Sequence, residues 1–181
     1  MGTRSKVTLA AVTAIALAGP TAAQGISREE ALKAVYPAAQ IRQEQVFLTA
    51  AQQGQARARG GVEVPTALVA RYIATKDGRV IGRAYVDTHT VRTKKESLLV
   101  SLDEQGALKR VDVTAFLEPV EYRPSEAWLG QYRNKPLDDD LGINRAIRPI
   151  AGATLTARAA NTAVRRVLAI DEVLRTSGDS R

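Results

Sequence analysis

A change from helical to alternating period, in two stretches each bent around a glycine, limits what this chain can fold into. Leu68 to Thr75 and Arg79 to Val86 flank Lys76-Asp77-Gly78, while Leu98 to Asp103 and Ala107 to Phe116 flank Glu104-Gln105-Gly106. A period of two puts successive side chains on opposite faces of an extended strand, and a short glycine turn joins such strands antiparallel. The reading is two hairpins. In the last run Val111, Val113 and Ala115 share one face, and Arg110, Asp112 and Thr114 the other. An apolar sheet face needs a covering layer, and helical spacing appears at both ends of the chain. The expected fold is α+β, an antiparallel sheet of two hairpins covered by N- and C-terminal helices.

Ile26-Ser27-Arg28-Glu29-Glu30-Ala31 has the form of a capping box: Ser27 accepts from the Glu30 N–H while the Glu30 side chain reaches back, with Ile26 and Ala31 as a staple. The helix it opens carries Ala31, Leu32 and Val35 inward and stops by Tyr36, because Pro37 disfavours helical geometry in the residue before it. From Ala38 to Arg59 the chain is polar and rich in Gln, Ala and Arg, with Val46-Phe47-Leu48 as its anchor; a second helix or an ordered loop fits, ended by Gly60-Gly61. After the hairpins, Glu118-Pro119 and Arg123-Pro124 break the pattern, Ser125 to Tyr132 reads as a short capped helix, and Lys135 to Gly142 is a loop with an acidic run. A final helix from Thr154 or Leu155 to about Leu174 sets Ala160, Ala163, Val164, Val167, Leu168 and Leu174 on one stripe, with Arg158, Thr162, Arg165 and Glu172 elsewhere. Ser177 to Arg181 is a frayed tail.

The N-terminus places Arg4 and Lys6 before an apolar run from Val7 to Ala18, then Gly19-Pro20 and the small residues Thr21-Ala22-Ala23. The run is short for a bilayer span, so residues 1–23 are expected to be a secretory signal cut after Ala23, and residues 24–181 one domain. A periplasmic or other extracytoplasmic, membrane-associated location follows as an expectation. With 181 residues, 45% of them apolar, the chain supports one real core. It has no cysteine, which excludes disulfides, thiolate metal sites and a lipidated N-terminal Cys. The formal charge of +7 falls to about +5 once Arg4 and Lys6 are removed. For an exported chain that balance suits an anionic surface, an acidic partner or a phosphorylated cofactor, and no nucleic acid is expected.

Pro149 to Thr156 runs through tiny residues to a hydroxyl just before the final helix. The free N–H groups and positive dipole end of a helix favour an anion, and Gly152 and Ala153 leave room at the backbone, so the stretch suits phosphate. A threonine at that position is equally the ordinary N-cap, and Thr154 or Thr156 fits that role as well. No Ser/His/Asp arrangement, P-loop or dinucleotide fingerprint occurs, so an electron carrier or binding domain is expected rather than an independent enzyme.

Ala151-Gly152-Ala153-Thr154-Leu155-Thr156 resembles the Ser-Gly-Ala-Thr-x-Thr motif of the FMN-binding domain shared by the RnfG and NqrC subunits of membrane redox complexes. The resemblance implies FMN as cofactor, joined through its phosphate to Thr154 by a flavin transferase that draws on FAD, with a membrane-bound redox partner. Ala151, Gly152, Ala153, Leu155 and Thr156 would surround it. Ala151 stands where the family has Ser or Thr, and Arg148 where it often has Asp. Glu118 matches the start of a Glu-Thr-Pro-Gly segment that the family sets near its flavin; Pro119-Val120-Glu121 does not. No His or carboxylate adjoins Thr154 in sequence to activate its hydroxyl, in keeping with attachment by a separate enzyme.

Arg145, Arg148 and Arg158 are near enough in sequence to steady a phosphate or a reduced flavin ring, and equally serve as solvated surface charges. Tyr122, Trp128 and Tyr132 suit stacking on an isoalloxazine ring or plain core packing. His89, the single histidine, follows Asp87 near a strand end, with Asp87 expected on the other face, and Asp138-Asp139-Asp140 reads as a solvated acidic turn. A cofactor-free alternative rests on Ile26 to Leu32, which is similar to the opening of PepSY-type interaction domains. A basic domain on anionic lipid or polymer rests on charge alone.

Overall fold

The computed structural model describes residues 25–178; the expected signal segment, 1–23, lies outside them. The element order is α1 (Arg28–Val35), β1 (Gln40–Phe47), α2 (Ala50–Gly60), β2 (Leu68–Lys76), β3 (Arg79–Thr90), β4 (Lys95–Asp103), β5 (Leu108–Phe116), α3 (Glu126–Leu129) and α4 (Thr154–Thr176). All strands pair antiparallel with their neighbours in chain order, giving one five-stranded sheet β1-β2-β3-β4-β5. The α+β class is as expected. The strand count is not: the two hairpins form, and β1 adds a fifth strand along β2. Its Gln40-Ile41-Arg42-Gln43-Glu44-Gln45 is largely exposed at the sheet edge, so no burial stamps an apolar alternation on it.

The local signals act as their chemistry requires. Ser27 and Glu30 close the α1 capping box, and Thr49 with Gln52 closes a second one at the start of α2. Gly61 ends α2 in the left-handed conformation. Asp77 and Gly78 both take positive φ in the first hairpin turn.

Helices lie on both sides of the sheet. On one side α1 sets Ala31, Leu32, Val35 and Tyr36 against Tyr72, Ala74, Ala84 and Leu99. On the other, α4 buries Ala160, Val164, Val167, Leu168 and Leu174 against Tyr85, Leu98, Val100, Leu102 and Val111, with α2 alongside through Ala56. Leu98 and Leu99 belong to opposite layers, as the pleat demands. The face expected to be polar is therefore partly covered, and Asp112 upon it is only 3% exposed. Close approach of α1 depends on Gly82: a Cβ there would lie 2.4 Å from the Tyr36 ring. The Tyr36 hydroxyl is 2.7 Å from the carbonyls of both Arg83 and Leu102, donating between them and tying α1 to β3 and β4.

A buried acid pins α4 to the sheet. Asp171 is 1% exposed, yet it sits on the stripe with Val167, Leu168 and Leu174. Arg83 donates to it from β3, the Tyr85 hydroxyl donates at 2.9 Å, and Arg175 donates from one turn along α4 at 2.9 Å. Those donors compensate a desolvated carboxylate that would otherwise be expelled from such a position.

Candidate functional site

The first turn of α4 opens into a cleft of about 250 Å³ lined by Val91, Arg92, Glu118, Tyr122, Gly152, Ala153, Thr154, Leu155 and Thr156. Gly152 turns the chain into the helix at φ +75°, a conformation costly for a side chain even though the space beside it is open. Ala153 is the N-cap and offers no side-chain acceptor. Neither threonine caps the helix: Thr154 is its first residue and Thr156 its third. The Ala153 N–H reaches Ile150 O at 3.1 Å and the Ala157 N–H reaches Ala153 O at 3.1 Å. Between them, the N–H groups of Thr154, Leu155 and Thr156 find no acceptor among the described residues. The helix thus presents its positive end uncompensated at the cleft wall.

The two threonines differ in exposure. Thr154 is exposed. Thr156 is 2% exposed, lines the cleft, and among the described residues its hydroxyl has no hydrogen-bond partner. Tyr122 and Leu155 line the cleft with exposed apolar side chains.

The cleft is also lined by the turn joining β3 to β4, closed by the Val91 N–H on Lys94 O at 3.0 Å. Glu118, just past β5, holds that turn: its Oε1 accepts from the N–H groups of Arg92, Thr93 and Lys94 at 3.1, 2.7 and 2.8 Å. Those backbone donors, Thr93 and Lys94 foremost, hold the carboxyl below its ordinary value.

Six of the eight residues selected from sequence line this cleft: Glu118, Gly152, Ala153, Thr154, Leu155 and Thr156. Ala151 and Arg148 do not. Arg148 is held outside by its backbone, donating its N–H to Gln131 Oε1 at 2.9 Å and accepting from Trp128 Nε1 at 2.7 Å. Arg145 turns to the Asp139 carbonyl, and Arg158 points to solvent from the second turn of α4. Of the three aromatics only Tyr122 reaches the cleft. Tyr132 is fully buried with its hydroxyl on Asn161 Oδ1 at 3.2 Å, and Trp128 packs edge-on against it at 5.6 Å. Asp138 is occupied in its own loop, its Oδ1 accepting from the N–H groups of Asp140 and Leu141 at 3.0 Å each. Arg92 lies beyond the hairpin expected to end at Val86; β3 instead runs on through Asp87-Thr88-His89-Thr90, and the turn after it reaches the cleft.

His89 and Asp87, two apart on β3, share a face, contrary to the expectation that they diverge. His89 Nδ1 lies 2.9 Å from Asp87 Oδ1 and Nε2 lies 3.0 Å from Glu96 Oε2, while Arg166 of α4 donates to Asp87 Oδ2 at 2.6 Å. Among the described residues no group of three or more His, Asp or Glu is arranged to hold a metal ion, and no helix is long and apolar enough to cross a membrane. Comparison of the chain with protein-family models, curated proteins and solved structures finds no match.

Proposed function

We propose that this chain is an FMN-carrying electron-transfer domain that works outside the cytoplasm, with the cofactor phosphate at the first turn of α4 and Thr154 as its covalent tether. One observation carries the reading: three free N–H groups and the hydroxyl of Thr156, a residue only 2% exposed and, among the described residues, without a protein partner for that hydroxyl, face a cleft whose rim exposes the acceptor Thr154. Such a donor set matches the oxygens of a phosphate. The cleft is smaller than sites that enclose a drug-sized ligand, so it suits the phosphate end of FMN, with the ring lying against Tyr122 and Leu155. The bound flavin would supply the electron-transfer chemistry, and the chain would bind and orient it.

Attachment would use a partner enzyme, since no base adjoins Thr154 in sequence and the Glu118 carboxylate of the same cleft is taken up by the turn N–H groups. In the transferase's active site Thr154 Oγ1 would attack the flavin-side phosphorus of FAD. The bond from that phosphorus to the bridging oxygen breaks, AMP leaves, the hydroxyl proton passes to a base of the transferase, and a phosphodiester remains. The reach of Thr154 into solvent makes this step accessible. A tether also suits an exported protein, which cannot recruit replacement flavin from the cytoplasm. The electron donor or acceptor would be a membrane-bound redox protein.

The test is intact-mass and peptide mass spectrometry of protein exported together with a flavin transferase. An FMN-sized addition on the peptide containing Thr154, absent in Thr154→Ala, is the expected result. A folded, colourless protein without the addition, and without affinity for added FMN, overturns the proposal and leaves the cofactor-free interaction domain as the reading.

A further inference from the structure

We infer that Arg92, on the turn between β3 and β4, is the cation that binds the anionic group of the cleft's ligand, and that Glu118 is a positioning residue acting through that turn. The inference rests on the proposed flavin site and assigns its charge recognition. Among the described residues Arg92 is the one cation lining the cleft, which it shares with the first turn of α4. The sequence-selected Arg148 is outside, with both its backbone groups engaged by Trp128 and Gln131. A guanidinium in the same cleft as free helix N–H groups and the Thr156 hydroxyl completes a donor set for a phosphate.

The position of Arg92 is set by Glu118. A β-turn of exposed residues, Arg92-Thr93-Lys94, is ordinarily mobile, yet here three successive N–H groups converge on one carboxylate oxygen. The negative charge of Glu118 within the cleft wall is met by those three donors, so it does not stand free to repel an incoming anion. What the turn needs from Glu118 is an acceptor oxygen; the charge itself is secondary. That distinction makes the role testable, because glutamine keeps the oxygen and alanine removes it.

The experiment is equilibrium binding of FMN and of riboflavin to the flavin-free protein, followed by flavin fluorescence, with a thermal melt for every variant. Riboflavin lacks the phosphate and reports everything except charge recognition. Arg92→Ala is expected to weaken FMN binding roughly tenfold or more while leaving riboflavin within about twofold, and Arg92→Lys to restore part of the loss. Arg148→Ala is expected to change neither ligand. Glu118→Gln should bind FMN within about threefold of wild type, Glu118→Ala should lose as much as Arg92→Ala, and combining Arg92→Ala with Glu118→Ala should add no further loss. FMN bound equally well by wild type and Arg92→Ala overturns the assignment of Arg92, and additive losses in the double variant overturn the positioning role. If the wild type binds neither flavin, the proposed function falls and this inference falls with it.

Discussion

His89 sits directly opposite Glu96 on the β3–β4 ladder, with Nε2 3.0 Å from the Glu96 carboxylate, while its other ring nitrogen is 2.9 Å from Asp87. The pair lies at the base of the turn that carries Arg92. Burial lowers the affinity of His89 for its proton, but hydrogen bonds and attraction from Asp87 and Glu96 outweigh it, and the pKa rises from 6.5 to about 9. Asp87 is held below its ordinary value; burial raises it, and His89 and Arg166 together more than reverse that.

The sign of the resulting pH dependence follows from linkage. A folded-state pKa above the unfolded value means that the His89 contribution is complete below about pH 6.5 and is lost as pH rises through about 9. His89→Gln should therefore cost about 2–3 kcal/mol at pH 6, and the gap to wild type should narrow steadily toward pH 10. Urea unfolding of both proteins at pH 6, 8 and 10 measures it. A gap that stays constant with pH would show that His89 contributes through packing rather than charge.

Asp171 should be the most sensitive single position in the fold. Asp171→Ala leaves Arg83, 3% exposed, without its counter-charge, and is expected to cost about 3–5 kcal/mol. Replacing both partners with apolar residues, as in Arg83→Met with Asp171→Leu, removes the uncompensated charge and should be less damaging than Asp171→Ala alone. Chemical denaturation of the three proteins decides; a double variant worse than the single would mean that Arg83 stabilises the fold without the acid, through the Asp103 and Glu104 carbonyls it also reaches.

Much of this architecture was legible in the chain, and what was not has definite physical causes. Although β2 and β3 are buried on both faces at their centres, the hairpins were readable from their glycine turns, the Ser27 cap from its Ser-x-x-Glu spacing and the α4 stripe from its helical period. β1 was not, since Gln40 to Gln45 lies on an open edge where neither face selects apolar residues. Asp171 reads as a polar face residue until its arginine partner, far away in sequence on β3, is brought to it. The helix-start loop of the cleft could be found from contiguous residues, 152–156, whereas Arg92 depends on the β3–β4 pairing that carries the turn to α4. Arg148 was misplaced because closeness in sequence to the loop does not fix on which side of the chain a backbone is anchored.

Gly152 tests the loop. Its φ of +75° is strained for any side chain, while the space around a would-be Cβ is empty, so Gly152→Ala is a conformational change without a clash. It should cost about 1 kcal/mol of stability and reduce flavin attachment at Thr154 by moving the hydroxyl. The readouts are a thermal melt and the mass of the protein after exposure to transferase. Unchanged attachment with the expected loss in stability would separate the loop's shape from the site.

Thr156 offers the sharpest division between a structural and a binding role. Thr156 is 2% exposed but its hydroxyl opens to the cleft and has no protein partner among the described residues, so Thr156→Val, which keeps the shape, should leave the melting temperature nearly unchanged. If the hydroxyl engages the phosphate, the same variant should weaken FMN binding by roughly tenfold and riboflavin binding hardly at all. A structural threonine gives the opposite pattern, with stability falling and both flavins affected alike. The contrast between the two readouts, one neutral and one downward, keeps the outcome from being mistaken for general loss of folding, and a fall in stability alone would refute the place given to Thr156 in the cleft.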